Sequence, residues 1–199
     1  MSSPSVLTLP GVDFGVVRAQ VRHFMWHPHV RVVEIASPQR IAPYSLAIEA
    51  ELTDRGEELA SGRLILLHDP DGNEAWQGTY RCVSLAEAAV EADLASDPLL
   101  TEVGWSWLTD ALNRSDCDYT AESGTVTTIN GRSFGGLACE PDRTDIEIRA
   151  SWTPVFTGPV DIRPHLAAWQ DLLCLTGGLA PLPDGMRAHG AQFDWTRPT

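Results

Sequence analysis

The chain has 199 residues, 43% of them hydrophobic and 21% charged, a composition that suits one globular domain with its own core. Its net charge of -13 argues against the basic surface that a nucleic acid backbone or an anionic lipid surface requires, so we expect neither as a direct partner. All 14 basic residues are arginine and none is lysine, which excludes Schiff-base chemistry and a P-loop lysine.

The cysteines and the first residues of the chain bear on its compartment. The four cysteines, Cys82, Cys117, Cys139 and Cys174, are isolated in the sequence and form no C-x-x-C pair. The opening segment MSSPSVLTLPG has no basic residue ahead of an apolar run, and no apolar stretch reaches the length of a membrane span. We therefore expect a cytoplasmic protein with reduced thiols.

The first half of the chain predicts one helix and three strands. After a flexible lead-in over residues 1–11, apolar residues recur at helical spacing over residues 12–25, and Pro28 ends this helix. Val30–Ile35 is a short extended segment. Alternating or continuous apolar residues then predict strands over residues 44–52, 60–68 and 75–85. The polar string DPDGNE predicts the turn between the last two strands.

The second half predicts helices around two further strands. The Ala-rich string SLAEAAVEADLASDP indicates a helix, and another helix restarts at Pro98 and ends near Asn113. A strand region over residues 119–134 contains the hairpin signal NG, and residues 144–152 alternate as a further strand. The last helix covers residues 162–173 and ends before two glycines. Residues 179–199 form a Pro/Gly-containing tail.

This order of elements predicts the class of fold. Consecutive strands joined by tight turns form an antiparallel sheet. We therefore predict a single α+β domain over residues 12–178, with an antiparallel sheet of about five strands and helices packed on one face, in the order α-β-β-β-α-β-β-α. The chain lacks a βαβ rhythm and a Gly-rich phosphate loop, which disfavours nucleotide-binding folds.

Two clusters of potential metal ligands do not complete a site. His23 and His27 have the i, i+4 spacing of a zinc pair, but Pro28 interrupts the helix and no H-E-x-x-H motif follows. The string HDPDGNE resembles a calcium loop, but its glycine comes one position too early and the distal glutamate is missing. There is also no G-x-S-x-G nucleophile elbow. We expect no metal, no cofactor and no catalytic residue.

The string EVGWSWLTDAL places two tryptophans on different sides of one helix. At about 100° per residue, one stripe of this helix faces the sheet. That stripe comprises Leu100, Val103, Gly104, Trp107 and Ala111. It predicts Trp107 in the core and a close approach of helix and sheet at Gly104. Trp105 points toward the edge shared with Leu108 and Leu112, where it either covers the rim of the core or contacts a partner.

Six strings of the sequence together resemble a known family. They are EIASPQRIAPYS, GRLILLHDPDGNEAWQGTYR, DPLLTEVGWSWLTDAL, SGTVT, IRASWTP and HLAAWQDLLC. They resemble the actinobacterial domain of unknown function 3000 family over residues 12–178, a resemblance that implies no activity or catalytic residues. The order of elements is also similar to that of type III secretion chaperone-like domains, which implies an acidic, dimeric, polypeptide-binding protein.

Two functions from different classes fit these observations. The first is an acidic, chaperone-like binding or adaptor protein that recognises another protein, as a homodimer, through Trp105 and its neighbours. The second is an enzyme that processes a small molecule in a pocket around Arg40, Tyr44, His68 and Trp76, where arginine clamps a carboxylate and His68 acts as the base. Direct RNA binding is disfavoured by the negative charge.

Overall fold

A computed structural model describes residues 10–91, 97–139 and 142–181 of the chain. Most of the predicted lead-in and tail, and part of the Ala-rich string, lie outside these residues. The described elements are α1 (Pro10–Arg22), β1 (Val30–Ile35), β2 (Tyr44–Asp54), β3 (Glu57–Asn73), β4 (Gly78–Val90), α2 (Leu100–Arg114), β5 (Tyr119–Gly131), β6 (Arg143–Pro154) and α3 (Arg163–Thr176). A short 3-10 helix, Gly135–Leu137, precedes β6. None of the described helices has the length and apolar character that crossing a membrane requires.

The strands form one antiparallel sheet in the order β1-β2-β3-β4-β6-β5. This confirms the α+β class with an antiparallel sheet. The sheet has six strands, one more than predicted, because the segment Val30–Ile35 pairs along its whole length with β2 as an edge strand. Since β6 lies between β4 and β5, the chain leaves the sheet after β4, forms α2 and returns at the edge.

Three local predictions are wrong in the structure. Part of the Ala-rich string is strand, because β4 continues to Val90 and pairs with β6, so that sheet pairing overrides the helix propensity of alanine. The turn between β3 and β4 covers residues 74–77, just after the predicted position, because Asn73 still pairs with Gly78. The NG signal ends β5 at Gly131, and a longer connection leads to β6 instead of a tight hairpin.

All three helices contact the same face of the sheet. The ring of Phe14 in α1 packs against that of Tyr44 in β2, with ring centroids 5.8 Å apart and an interplanar angle of 33°. A Cβ built on Gly62 of β3 would lie 2.5 Å from Cδ2 of Leu173 in α3, so glycine permits this close approach. The apolar residues of this face alternate along each strand, as Leu46, Ile48, Ala50 and Leu52 do in β2, and all four are buried. We call this the helix-covered face and its opposite the open face.

The stripe that α2 presents to the sheet differs in phase from the predicted one. Its buried residues are Leu100, Gly104, Leu108, Ala111 and Leu112. Val103 is 42% exposed and Trp107 is only partly buried, so the prediction of Trp107 at the centre of the stripe is wrong. The two stripes share Leu100, Gly104 and Ala111, and the exchange of Val103 and Trp107 for Leu108 and Leu112 rotates the centre of the stripe by roughly 50°. The predicted close approach at Gly104 is confirmed, since a Cβ there would lie 3.1 Å from Cγ1 of Val126 in β5.

Candidate functional site

On the open face, the strand register aligns side chains in rows that cross the sheet. One row contains Arg63 of β3, Leu85 of β4 and Arg149 of β6. The adjacent row contains Ile65 of β3, Val83 of β4, Ser151 of β6 and Ser123 of β5. Because alternate residues of a strand share a face, both rows point away from the helices. The open face therefore carries apolar side chains between arginines and serines.

These two rows line a groove of about 470 Å³, which we call the open-face groove. Its lining includes Arg63, Ile65, Val83, Leu85, Ser123, Thr125, Arg149 and Ser151. No carboxylate of the described residues lines it. In a chain with a net charge of -13, a concave surface with two arginines and three hydroxyl groups is locally suited to an anion that also has an apolar part.

The two arginines of the groove are paired with glutamates, one of them exposed and the other largely buried. Nη2 of Arg63 lies 3.0 Å from Oε1 of Glu49, and Nε of Arg149 lies 3.0 Å from Oε1 of Glu147. The side chains of Arg63 and Arg149 are 48% and 66% exposed. The exposed Arg63–Glu49 pair contributes roughly 0–1 kcal/mol, so an incoming anion can compete with Glu49 at little cost. Arg149 also donates from Nη2 to Oε2 of Glu147 at 3.0 Å, and the Glu147 side chain is only 13% exposed, so this bidentate pair is the stronger of the two.

Arg81 of β4 lies beside the groove and is only 8% exposed. Its Nη1 donates hydrogen bonds to the carbonyl of Ala121 at 2.8 Å and to Oγ1 of Thr153 at 3.0 Å. Its Nη2 donates to Oγ of Ser151 at 2.6 Å and to Oγ of Ser123 at 3.3 Å. All four acceptors are neutral, and the ion pairs of the described residues do not include Arg81. Burial lowers the pKa of Arg81, but a guanidinium stays protonated in proteins.

A bulge in β5 supplies one of the acceptors of Arg81. The pairing of β5 with β6 shifts register between Thr120 and Ser123. Ala121, within this bulge, has a φ of 52°, in the left-handed region that costs a residue other than glycine about 1–2 kcal/mol. The bulge lets the Ala121 carbonyl accept a hydrogen bond from Arg81. Bulges often re-aim groups next to binding sites, and this one completes the set of acceptors around a buried charge.

The turn between β3 and β4 contacts the group of hydrogen-bond acceptors around Arg81 through Thr153. Oγ1 of Thr153 donates a hydrogen bond of 2.6 Å to the carbonyl of Trp76, which lies in that turn. A Cβ on Gly78 would lie 2.7 Å from Cγ2 of Thr153, so only glycine fits there. Trp76, which the sequence predicted as a pocket residue, is therefore linked to Arg81 through its backbone and Thr153.

The row that lies next to Arg63, Leu85 and Arg149, on the side away from Ser123 and Ser151, is acidic. Glu87 of β4 faces Glu147 of β6 directly across the two strands. Burial raises the pKa of Glu87, and the hydrogen bond and the like charge of Glu147 raise it further. The positive area of the open face is thus bounded by carboxylates, which confines the attraction for an anion to the groove.

Tyr44 and His68 meet in the structure, but on the helix-covered face. His68 is 3% exposed, and its ring lies 5.7 Å from that of Tyr44 and 4.1 Å from that of Tyr80. Arg40 is exposed in the loop between β1 and β2. Neither Arg40 nor Trp76 shares a hydrogen bond, ion pair or ring contact with His68 in the described part of the chain. The enzyme pocket that the sequence suggested requires all four side chains to converge, and of these only Tyr44 and His68 meet.

The predicted partner-contact residues of α2 divide into core and rim. Leu108 and Leu112 are fully buried, so these two side chains belong to the core and offer no surface to a partner, contrary to the prediction. Trp105 is partly buried, and a Cβ built on Gly124 of β5 would lie 2.7 Å from its Cζ3 atom. The ring of Trp105 therefore covers the glycine of a neighbouring strand, which explains its position without a partner.

The histidine and aspartate clusters noted in the sequence make local hydrogen bonds in the structure. Among the described residues, no group of three or more His, Cys, Asp or Glu side chains is arranged to hold a metal ion. Nδ1 of His27 accepts a hydrogen bond of 3.1 Å from the backbone N–H of His29, so this nitrogen is already occupied. The Asp69 carboxylate similarly accepts a hydrogen bond from the Asp71 backbone N–H.

The residues that build the groove are not apparent from the sequence. Arg63 and Arg149 lie beside apolar residues in strands, a pattern typical of the solvated face of a sheet. Arg81 did leave a signal, since an arginine between Tyr80 and Cys82 interrupts an otherwise apolar stretch of a strand. Its partners Ser123 and Ser151 come from β5 and β6, and their proximity depends on the strand order.

The fold and the groove define an α+β protein with a six-stranded sheet, helices on one face and a ligand-accessible opposite face. The profile of a family described as "Protein of unknown function (DUF3000)" matches residues 11–186. The chain belongs to that family, as the six strings of the sequence suggested. No curated protein and no solved structure matches the chain.

Proposed function

We propose that this protein is a cytoplasmic binding or adaptor protein that recognises another protein by holding an acidic, partly apolar segment of it in the open-face groove. The groove carries the proposal: it combines two arginines with apolar side chains and excludes carboxylates of the described residues, in a chain with 27 acidic residues. A surface of that kind binds a complementary negative segment and disfavours a positive one.

The pattern of side chains in the groove suggests what the segment contains. Arg63 and Arg149 flank Leu85 in one row, so acidic side chains on either side of an apolar one would match them in order. Arginine binds carboxylates with two parallel hydrogen bonds, and burial of the apolar side chain adds about 25 cal/mol per Å². The neighbouring Glu87 and Glu147 would repel a misaligned segment, which favours one register.

The chaperone-like homodimer belongs to the same proposal, and we assign it to the outer edge of β5. β5 is the last strand of the sheet, and its residues 123–131, SGTVTTING, include no charged side chain. Two chains that each carry a charge of -13 repel one another, and this repulsion is least where an uncharged edge meets its copy. Pairing there leaves the groove accessible to the acidic segment.

A direct test uses a fluorescein-labelled peptide that alternates glutamate and leucine, titrated with the protein and followed by fluorescence anisotropy. We expect Arg63→Gln and Arg149→Gln each to weaken binding about tenfold, because each removes a charge-assisted hydrogen bond. The matched control is Arg31→Gln. Arg31 lies on the same face and is also paired with a glutamate, Glu51, but it does not line the groove.

The same titration with lysine in place of glutamate measures the preference for negative charge. We expect little or no binding of the lysine peptide, and weaker binding of the glutamate peptide as salt is raised. Equal affinity for the two peptides, or an equal loss in the Arg31 and Arg63 variants, would contradict the proposal.

A further inference from the structure

We infer that Ser123 and Ser151, with Arg81 directly behind them, form a subsite for a single carboxylate at one end of the open-face groove. The inference deepens the proposed function, since it rests on an acidic ligand and names the group that this part of the groove recognises. Both serines line the groove, and Arg81 donates a hydrogen bond to each.

The hydroxyl groups of the two serines are oriented by Arg81 as donors. Each serine oxygen accepts a hydrogen bond from Nη2 of Arg81, at 2.6 Å for Ser151 and 3.3 Å for Ser123. Their own O–H groups are then left to donate. The two oxygens lie 3.2 Å apart, so one O–H can donate to the other serine. The remaining O–H is a donor polarised by a positive charge, as an incoming carboxylate oxygen requires.

The count of charges around the groove favours a group with one negative charge. Arg63 and Arg149 already have glutamate partners, Glu49 and Glu147. Arg81 has four neutral acceptors and is outside the ion pairs of the described residues, so one positive charge is uncompensated there. A buried charge without a counter-charge is costly, and one carboxylate offsets it. The second charge of a phosphate would have no partner at this position.

Arg81 is also fixed in place, in contrast to the arginines that line the groove. The bulge carbonyl of Ala121 and the hydroxyl of Thr153 hold Nη1, and Thr153 is itself held by the carbonyl of Trp76. A preorganised donor loses little conformational entropy when the ligand arrives. We therefore assign to Arg81 the positioning and polarisation of the serine hydroxyls, and to Ser123 and Ser151 the direct contact.

The subsite can be tested with acetate, which carries one carboxylate and does not depend on the peptide. The melting temperature is measured in sodium acetate and in sodium chloride at equal ionic strength and pH. We expect acetate to raise it by about 2–4 °C relative to chloride once its concentration is about five times its dissociation constant. Sodium phosphate at the same ionic strength should give a smaller increase.

Matched variants then assign the shift to the subsite. We expect Ser123→Ala to weaken acetate binding about tenfold, because it removes one of the two serine hydroxyls. We expect Arg81→Met to abolish the shift, because it removes the charge that polarises both hydroxyls. Ser123 is exposed, so its variant keeps the test valid if Arg81→Met does not fold. The control is Thr127→Ala, because Thr127 is also an exposed hydroxyl residue on the open face of β5 but does not line the groove.

The two proposals fail in different ways. If acetate raises the melting temperature no more than chloride does, or raises it equally in the wild type and in Ser123→Ala, the carboxylate subsite is wrong. This holds whether or not the peptide binds. If acetate binds as expected but the glutamate peptide does not bind, the subsite stands and the protein-recognition function falls. If the peptide binds through Arg63 and Arg149 while Ser123→Ala retains full affinity for peptide and acetate, the function stands without the subsite.

Discussion

A buried basic side chain is neutral on one face of the sheet and charged on the other. On the helix-covered face, His165 of α3 is 2% exposed and accepts a hydrogen bond of 3.2 Å from Nε1 of Trp152. Burial lowers the pKa of His165 to about 4, so this group is neutral at physiological pH. On the open face, Arg81 is nearly as buried, but a guanidinium cannot give up its proton.

This difference separates residues that stabilise the fold from residues that are available for recognition. The helix-covered face contains alternating apolar side chains, and the buried His165 on it is neutral. The open face keeps the charge of Arg81 and surrounds it with hydroxyl groups beside a groove. A retained buried charge is unfavourable for stability alone, and this supports the carboxylate subsite proposed above.

The largest expected contrast between the faces comes from truncating one leucine on each. Leu64 in β3 is fully buried on the helix-covered face, and Leu85 in β4 is partly buried in the groove. We expect Leu64→Ala to lower the free energy of unfolding by roughly 2–5 kcal/mol, because it leaves a cavity in packed surroundings. Leu85→Ala should cost about 1 kcal/mol or less. Urea denaturation of the two variants measures both, and similar losses would show that the open face is as tightly packed as the core.

A second contrast concerns pH. Above about pH 6.5, the ordinary pKa of histidine, His165 is neutral in both folded and unfolded chains. As pH falls from 6.5 to about 4, the unfolded chain binds a proton there and the folded chain does not, so stability is progressively lost. The shift corresponds to about 3 kcal/mol.

The variant His165→Gln isolates this effect, because glutamine can still accept the hydrogen bond from Trp152. We expect its unfolding free energy, measured in urea from pH 7 to pH 4.5, to fall less steeply than that of the wild type. Because His23 is exposed, His23→Gln provides the control for the substitution itself. Parallel slopes for all three proteins would mean that His165 titrates normally in the folded chain.

The elements of the helix-covered face were predictable because their apolar residues repeat with the period of their secondary structure. The second strand, with Leu46, Ile48, Ala50 and Leu52 on one side, shows this directly. The Ala-rich part of β4 was mispredicted, since small residues alternate too weakly to distinguish a strand from a helix. The first strand was seen only as an extended segment because its pairing with β2 is not visible in the pattern.

The groove was not predictable for a different reason. It depends on the strand order, which places β6 between β4 and β5 and so brings Ser123 and Ser151 to Arg81. Residues 81, 123 and 151 are far apart in the sequence, and no short motif marks such a cluster. The bulge at Ala121 is equally hidden, because alanine is not typical of the left-handed region.

The smallest expected effect tests how closely α2 packs on the helix-covered face. Gly15 in α1 has no atom within 4 Å of a built Cβ, whereas a Cβ on Gly104 in α2 would lie 3.1 Å from Val126 and 3.2 Å from Ile146. Alanine in a helix is favoured over glycine by about 0.5–1 kcal/mol, so Gly15→Ala should stabilise the protein by that amount. Gly104→Ala has the same gain in propensity but must displace two side chains of the core, and overpacking typically costs 1–3 kcal/mol. We therefore expect opposite signs for the two variants in thermal denaturation. Equal stabilisation would show that the side chains beneath α2 can move aside, and that this part of the core is less tightly packed than its distances indicate.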